Sequence, residues 1–302
     1  MERSIDRVTE YAYGKLNLGL DVTGKREDGY HLVRMVMQTV DVCDTLVIER
    51  IPGESEEVIQ NKLHIPAGGL SEDEDNLALK AARRMQECFS INEAVDITLE
   101  KRIPVSAGMA GGSADAAAVL RAMRKLFLPE LPLEELEQIA VSIGADVPYC
   151  LYGGTVLAEG IGERLTFLRP APDMDLVICK PPVDVPTPLV YRLYDAEDKP
   201  LHPDIDAMVR AVENRDKDGV IRCFGNALES VTSAMHPEVS RLESFFSSHG
   251  AVRAMMTGSG PTVFAVFESA AGAEKCLEAL KGHPEFSRWE SFGCGFRHMR
   301  ES

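Results

Sequence analysis

The chain has 302 residues, 45% of them hydrophobic and 26% charged, and its 48 Asp and Glu against 32 Lys and Arg leave a formal net charge of -16. A soluble chain of this size buries enough apolar surface to fold without disulfide or metal staples, and it is long enough for two domains. The acidic balance excludes the sequence-independent grip on nucleic acid that Lys and Arg give, and it disfavours anionic membrane surfaces.

Any anionic ligand must therefore be met by a few local donors. The seven cysteines, at 43, 88, 150, 179, 223, 276 and 294, are odd in number and widely spaced, which implies neither a disulfide framework nor a zinc knuckle. With no apolar leader at Met1 to Asp6 and no long apolar run, a cytoplasmic location is expected.

In chain order, Tyr11 to Lys25, Asp44 to Arg50 and Val95 to Lys101 alternate or run apolar as strands do. Glu54 to Glu57 and Ser71 to Asp75 read as solvated loop residues. Asp75 is the expected N-cap of a helix in which Leu77, Ala78, Ala81, Ala82, Met85, Cys88 and Phe89 recur at three-and-four spacing. Ser113 to Phe127 predicts a second, alanine-rich helix, and Leu133 to Ile143 a third with Gly144 as its stop. Asp146 then precedes an expected apolar strand.

The Pro-dense segment Leu168 to Pro188, holding the strand Asp175 to Lys180, places a domain boundary near residue 165, giving 1–165 and 166–302. Beyond it come helices at Ile205 to Asn214 and Glu238 to Ser248, and a strand at Ala251 to Met256. Next are a Gly-rich turn at Thr257 to Pro261, a strand at Thr262 to Phe267, a helix at Ala270 to Lys281 and a strand at Trp289 to Phe296. Helices alternating with a small antiparallel sheet predict an α+β fold close to a split βαβ arrangement.

The stretch from Pro104 to Ala118 carries the strongest chemical signal. Small residues, among them Gly108, Gly111 and Gly112, open directly onto a helix at Ser113. Free amides at a helix start, aided by the macrodipole, favour a phosphate there whatever the net charge. Neither G-x-x-x-x-G-K-[ST] nor a Rossmann-type G-x-G-x-x-G is present, so the common nucleotide loops do not apply. Within the first strand Lys15 and Asn17 share one face, opposite Leu16 and Leu18. Taken singly, that lysine suits a solvated strand face, and Asp146 suits a turn cap.

Their joint order is more telling. A Lys/Asn strand, then P-x-x-x-G-x-x-G-G-S near residue 110, G-A-D-V-P some thirty residues later and T-G-S-G-P near residue 257 together resemble the motif pattern of the GHMP kinase superfamily, over almost the whole chain. Asp28-Gly29-Tyr30-His31, with Pro186-Thr187-Pro188 and Tyr191, is similar to the branch whose acceptor is a cytidine-diphosphate-linked methylerythritol, an isoprenoid precursor.

The resemblance implies a two-domain α+β fold, ribosomal-protein-S5-domain-2-like at the N-terminus and ferredoxin-like at the C-terminus. It implies ATP as phosphoryl donor, with Mg²⁺. Pro104, Gly108, Gly111, Gly112 and Ser113 would hold the ATP phosphates, with Asn76 and Lys101 around the adenine. Asp146 would take or orient the proton of the acceptor hydroxyl, and Lys15 would stabilise nearby negative charge and keep Asp146 ionised. Asn17, Tyr30, His31, Thr187 and Tyr191 would bind the cytidyl substrate, the two tyrosines flanking the base.

Ser113 is the candidate metal ligand. Met109, Ala110 and Ala114 stand where the family commonly has Leu, Gly and Ser, and Ala110 is expected to take an ordinary backbone angle that alters the loop contour. Two alternatives stay open. One is another kinase of the superfamily, for homoserine or phosphomevalonate, which leaves Tyr30 and His31 without a task; the other is a non-catalytic nucleotide-binding protein, which has no need of Asp146.

Overall fold

The computed structural model describes residues 6–51, 59–68, 70–73 and 75–298. Glu54 to Glu57 and Glu74 lie outside the described residues. In chain order the elements are β1 (Arg7–Lys25), β2 (His31–Ile51), β3 (Lys62–His64), α1 (Leu77–Phe89), β4 (Ala94–Glu100), α2 (Gly111–Phe127), α3 (Glu137–Ile143), α4 (Val147–Tyr152), β5 (Thr155–Gly160) and β6 (Arg164–Phe167). There follow β7 (Asp175–Lys180), α5 (Thr187–Tyr194), α6 (Ile205–Glu213), α7 (Lys217–Arg222), β8 (Gly225–Asn226), α8 (Glu229–Met235), α9 (Glu238–Ser248), β9 (Arg253–Met256), β10 (Val263–Phe267), α10 (Ala270–Gly282) and β11 (Glu290–Gly295). Among the described residues no helix is long and apolar enough to cross a membrane.

The described residues fall into two compact units, the first drawn from 6–14, 43–105 and 110–152, the second from 15–42, 106–109 and 153–298. In the first unit the end of β2 pairs antiparallel with β4, from Thr45 opposite Glu100 to Ile51 opposite Ala94, and β4 pairs parallel with β3. Helix α2 buries nearly every side chain from Ala114 to Met123. Its alanines let α1 and α4 pack closely against it, which is why so small a set of side chains makes a core. A buried carboxylate, Glu10, accepts from Arg121 Nε at 3.0 Å and Lys125 Nζ at 2.7 Å, and Arg121 also donates to the carbonyls of Tyr11 and Cys150. Both charges are thus paired and hydrogen-bonded, the condition under which burial is tolerated.

The second unit holds two pieces of sheet. Val33 to Gln38 of β2 pairs antiparallel with β5, β5 pairs with β6, and Gly19 and Leu20 of β1 pair parallel with β8. The other is a four-stranded antiparallel sheet in the order β11-β7-β10-β9, whose β7 and β10 are almost wholly buried. Its strands and the helices α9 and α10 stand where the alternation and the three-and-four spacing predict them.

Several local expectations are corrected. Asn76, not Asp75, caps α1: its side chain accepts from Ala78 N at 3.0 Å, while Asp75 pairs with Lys80. Cys88, expected on the buried face of α1, is exposed. The third predicted helix begins as a 3₁₀ turn, Leu133–Leu136, before α3. The segment after Asp146 is the short helix α4 rather than a strand, with Pro148 in its first turn, where a missing N–H costs nothing. The Pro-rich crossing also contains α5, with Pro188 in its first turn, for the same reason.

Candidate functional site

Strand β1 places Lys15 and Asn17 on one face. Both side chains are buried, and Lys15 Nζ donates to Asn17 Oδ1 at 2.6 Å and to the Gly108 carbonyl at 2.8 Å. The Lys15 amide also donates to the Met109 carbonyl at 3.1 Å, so the segment Ser106 to Met109 lies along this strand.

The Gly-rich turn after β9 meets the same segment. Thr257 Oγ1 accepts from Asn17 N at 2.9 Å, and a Cβ on Gly108 would collide with the Thr257 carbonyl. A Cβ on Gly258 would lie 3.0 Å from the Gly108 carbonyl. Both glycines have positive φ, 70° and 60°, so they are required twice over, for backbone angle and for space. Asn226 Nδ2 pins the turn, donating to the carbonyls of Met256 at 2.9 Å and Gly258 at 2.8 Å. The Thr187 and Ser259 hydroxyls are 2.8 Å apart.

Also in the second unit, His31 Nε2 lies 2.6 Å from Asp195 Oδ1, and its ring stacks on Tyr191 with centroids 4.6 Å apart and planes 20° from parallel. Lys25 Nζ reaches the other Asp195 oxygen at 2.6 Å. Tyr30 is exposed by 61%, an unsatisfied aromatic face beside this pair in sequence.

The first unit gathers the remaining candidates. Gly111 and Gly112 open α2; a Cβ on Gly111 would lie 3.4 Å from Lys101 Nζ, and one on Gly112 would lie 3.5 Å from Leu77, next to the cap residue Asn76. Ser113 Oγ would be 3.9 Å from a Cβ on Gly144, so the helix start and the loop carrying Asp146 adjoin. Asp146 immediately precedes α4, and its carbonyl accepts from Cys150 N. Pro104 is buried.

Lys101 sits in a cluster no motif foretold. Its Nζ lies between Asp44 Oδ2 at 2.5 Å and Asp115 Oδ2 at 2.7 Å, and Asp44 Oδ1 accepts from the amides of Arg102 and Ile103. Burial opposes the charge on Lys101, but Asp115 and Asp44 outweigh it and hold its pKa above the usual value. Burial, with Asp44 adding, pushes Asp115 up to about 7 against the pull of Lys101. Asp115 is therefore the carboxyl beside Lys101 that takes a proton near neutrality.

The chain matches the family description "GHMP kinases N terminal domain" over residues 76–154 and "GHMP kinases C terminal" over 201–285. A 4-diphosphocytidyl-2-C-methyl-D-erythritol kinase of Lachnospira eligens is 48% identical over 270 residues, which is 89% of this chain and 92% of that protein. The chain belongs to the GHMP kinase family. A second relative of this GHMP kinase, with the same name, from Clostridium perfringens (strain ATCC 13124), is 46% identical over 276 residues, 91% of this chain and 94% of that protein. A crystal structure of 4-(cytidine 5'-diphospho)-2C-methyl-D-erythritol kinase superposes with a TM-score of 0.78 at 33% identity, covering 96% of this chain and 99% of that one. Homoserine kinase from Cytophaga hutchinsonii gives the same TM-score at 20% identity, covering 100% and 98%, and shows the shared fold. The two-domain α+β reading holds.

One departure of this GHMP kinase from its family loop has an outcome opposite to expectation. Ala110 does not take an ordinary angle: at φ 59° and ψ 29° it adopts the left-handed conformation that glycine would have supplied. With Ser106 at φ 53° and Gly108 at φ 70°, positive φ recurs at alternate positions, a handedness pattern that turns successive amides toward one side. The Cβ of Ala110 costs about 1–2 kcal/mol there, partly offset in a glycine variant by a freer unfolded chain. Ala110→Gly should therefore raise unfolding free energy by about 1 kcal/mol in a urea titration, with unchanged m-value.

A second strained feature lies under the Gly-rich turn. Glu229 Oε2 accepts from Met256 N at 2.7 Å, and burial followed by the charge of Glu229 pushes Glu243 up to about 8. The pair shares one proton. In the unfolded chain Glu243 ionises near its ordinary 4.5, so its contribution to stability is full below that pH and is lost as pH rises through about 8. The melting temperature should fall from pH 6 to pH 9, and Glu243→Gln should flatten that fall; an unaltered slope in differential scanning fluorimetry would refute the assignment.

Proposed function

We propose that this GHMP kinase transfers the γ-phosphoryl group of ATP to the 2-hydroxyl of 4-diphosphocytidyl-2-C-methyl-D-erythritol, yielding the 2-phosphate and ADP for isoprenoid precursor synthesis. The acceptor oxygen bonds to the γ-phosphorus as the bond to the ADP oxygen breaks, and the hydroxyl proton leaves through Asp146. Phosphoryl transfer asks the protein for positioning and charge stabilisation. The assigned roles follow that need. Backbone amides around Gly108 and at Gly111, Gly112 and Ser113 cradle phosphates, buried Lys15 supplies positive charge, and Asn17 orients it.

Asn76 and Lys101 are proposed near the adenine. The capping duty of Asn76 and the two carboxylates on Lys101 leave each a mainly positioning role there. Among the described residues the Ser113 hydroxyl has no hydrogen-bond partner and is half-buried, which suits a hard cation that prefers oxygen and keeps most of its shell from phosphates and water. Mg²⁺ would bind there with ATP and neutralise charge on the transferred group.

The observation that carries the substrate assignment is the near-parallel stack of His31 on Tyr191, with exposed Tyr30 following Gly29, which suits a planar base. Relatives 43–48% identical, all named for the cytidyl substrate, add support that a 20% identical homoserine kinase does not give its rival. The two family descriptions fall on either side of residue 165, supporting 1–165 and 166–302 as the domains. The proposed setting is the cytoplasm, with small molecules and not nucleic acid as partners, on the strength of the net charge of -16.

The test is turnover of purified protein with ATP, Mg²⁺ and, separately, the cytidyl substrate, homoserine, mevalonate and phosphomevalonate. Turnover of the cytidyl substrate alone is expected. Turnover of homoserine alone would overturn the assignment, and none with any acceptor would favour a binding protein.

A further inference from the structure

The turn after β9 is fixed by bonds within itself and by Asn226, Thr232 and Asn17. Asn226 Nδ2 donates to the carbonyls of Met256 and Gly258, and Thr232 Oγ1 donates to that of Ser259 at 3.1 Å. The amides of Thr257 and Gly260 donate to the carbonyls of Thr262 and Thr257, and the Thr257 hydroxyl accepts from Asn17 N. Ser259 is the one residue from Thr257 to Pro261 that is not buried, and its hydroxyl lies 2.8 Å from that of Thr187, the first residue of α5.

Helix α5 is held far more lightly. Only Val190 and Tyr194 of its eight residues are buried, and Pro186 before it supplies no side-chain cap. Its C-terminal end is tied to β1 and β2 by Asp195, which accepts from Lys25 and lies 2.6 Å from His31. From this contrast we infer that Ser259 is a positioning residue: its hydroxyl ties the N-terminal end of α5 to the turn that presses on Gly108, and so sets the spacing between Tyr191 on the helix and Lys15 on β1. The inference rests on the cytidyl reading above.

Spacing matters because the acceptor is long. Its base end would lie at α5 while its hydroxyl reacts beside Lys15, and binding energy gained far from the reacting atoms raises kcat only if the two ends are held in register. Eight helical residues span about 12 Å, so a tilt of about 10° about the Asp195 end carries Tyr191 by about 1 Å and Thr187 by about 2 Å. A displacement of about 1 Å at a reacting centre can cost about 100-fold in rate. The turn does not follow such a tilt: Asn226 and Thr232 hold its carbonyls, and Gly108 lies against Thr257 and Gly258.

Two measurements on the full-length enzyme test this. In kinetics with the cytidyl acceptor, Ser259→Ala and Thr187→Val should each lower kcat about tenfold, with the KM values of acceptor and ATP little changed. The double variant should lie within about twofold of either single one, because both substitutions remove the same bond. Ser259→Thr keeps a hydroxyl and should retain most of the wild-type kcat. The second measurement is amide hydrogen exchange without any ligand. The amides of Leu189 and Val190, which donate to the Pro186 carbonyl at 2.9 and 3.2 Å, should exchange at least about threefold faster in both single variants. The Asp195 amide, bonded to the Tyr191 carbonyl at the tied end, should keep its wild-type rate.

An unmoved kcat overturns the inference, as do losses that multiply in the double variant, since Ser259 and Thr187 would then act independently. Unchanged exchange at Leu189 and Val190 overturns it too, and so does faster exchange spread over the whole chain, which would mark a general loss of stability. Failure of wild-type enzyme to use the cytidyl acceptor at all would instead sink the proposed function, and the exchange rates would read the tie between Ser259 and α5 independently.

Discussion

Asp146→Asn is expected to lower kcat by about 10²–10⁴-fold, the range in which a positioned general base contributes. The substitution keeps the size of the side chain and removes only the proton-accepting role proposed for it. Asp146 immediately precedes α4, in the loop that adjoins Ser113, so an amide there should leave the proposed phosphate cradle undisturbed. ATP affinity, measured by calorimetry in the absence of acceptor, should stay within about twofold of wild type, a change of under ~0.5 kcal/mol. Because the interaction is needed in the transition state and little in the ground state, kcat should fall without a compensating fall in KM. Near-normal turnover would remove Asp146 from the chemistry.

Asp44→Ala should be the most damaging single change to stability outside the apolar core, costing about 3–5 kcal/mol. The Asp44 side chain is fully buried and accepts from Lys101 Nζ and from two backbone amides, those of Arg102 and Ile103. Removing it strands two amides and leaves Lys101 with Asp115, the carboxyl already inclined to protonate at about 7. Against a total stability of about 5–15 kcal/mol, a loss of that size leaves a much larger unfolded fraction. Asp115→Asn is the matched control. Its Oδ1 has no partner and an amide oxygen still accepts from Lys101, so the loss should be about 1 kcal/mol. Chemical denaturation of the two variants should separate by several kcal/mol; equal losses would show that Asp44 does not carry the cluster.

Much of this organisation is legible in the residues themselves. Helices α1, α2 and α9 and strand β7 are legible, with ends that agree to within two residues, because α1 and α9 each bury one face and α2 and β7 bury most of their length. The first half of β2, Val33 to Val40, is buried on both faces, so it shows no alternation to read. Helix α4 fails for another reason: six residues, five of them apolar or aromatic, carry no period that separates a helix from a strand.

The site divides in the same way. Lys15, Asn17, Gly108 and the turn at Thr257 come together in one unit because glycines and a strand face impose geometry that the sequence displays. Asp195, Lys25 and Asn226 are single polar residues whose partners lie up to 170 residues away, and no spacing announces them. Asp44 did leave a trace. It shares strand parity with buried Val42, Leu46 and Ile48, and a charge on an inward-facing register position must have a partner.

The close approach of Gly108 to Thr257 and Gly258 also bears on the order in which the protein is made. Residues 106–109 group with 15–42 and 153–298, not with the helix they precede. When a ribosome has released the first 165 residues, α2 and its core partners are all present, but the carbonyl of Thr257 and the backbone of Gly258 that fix the loop have not been synthesised. The loop 106–109 is thus completed by the last third of the chain, and a fragment of the first 165 residues would possess the loop's residues without the contacts that give it its shape.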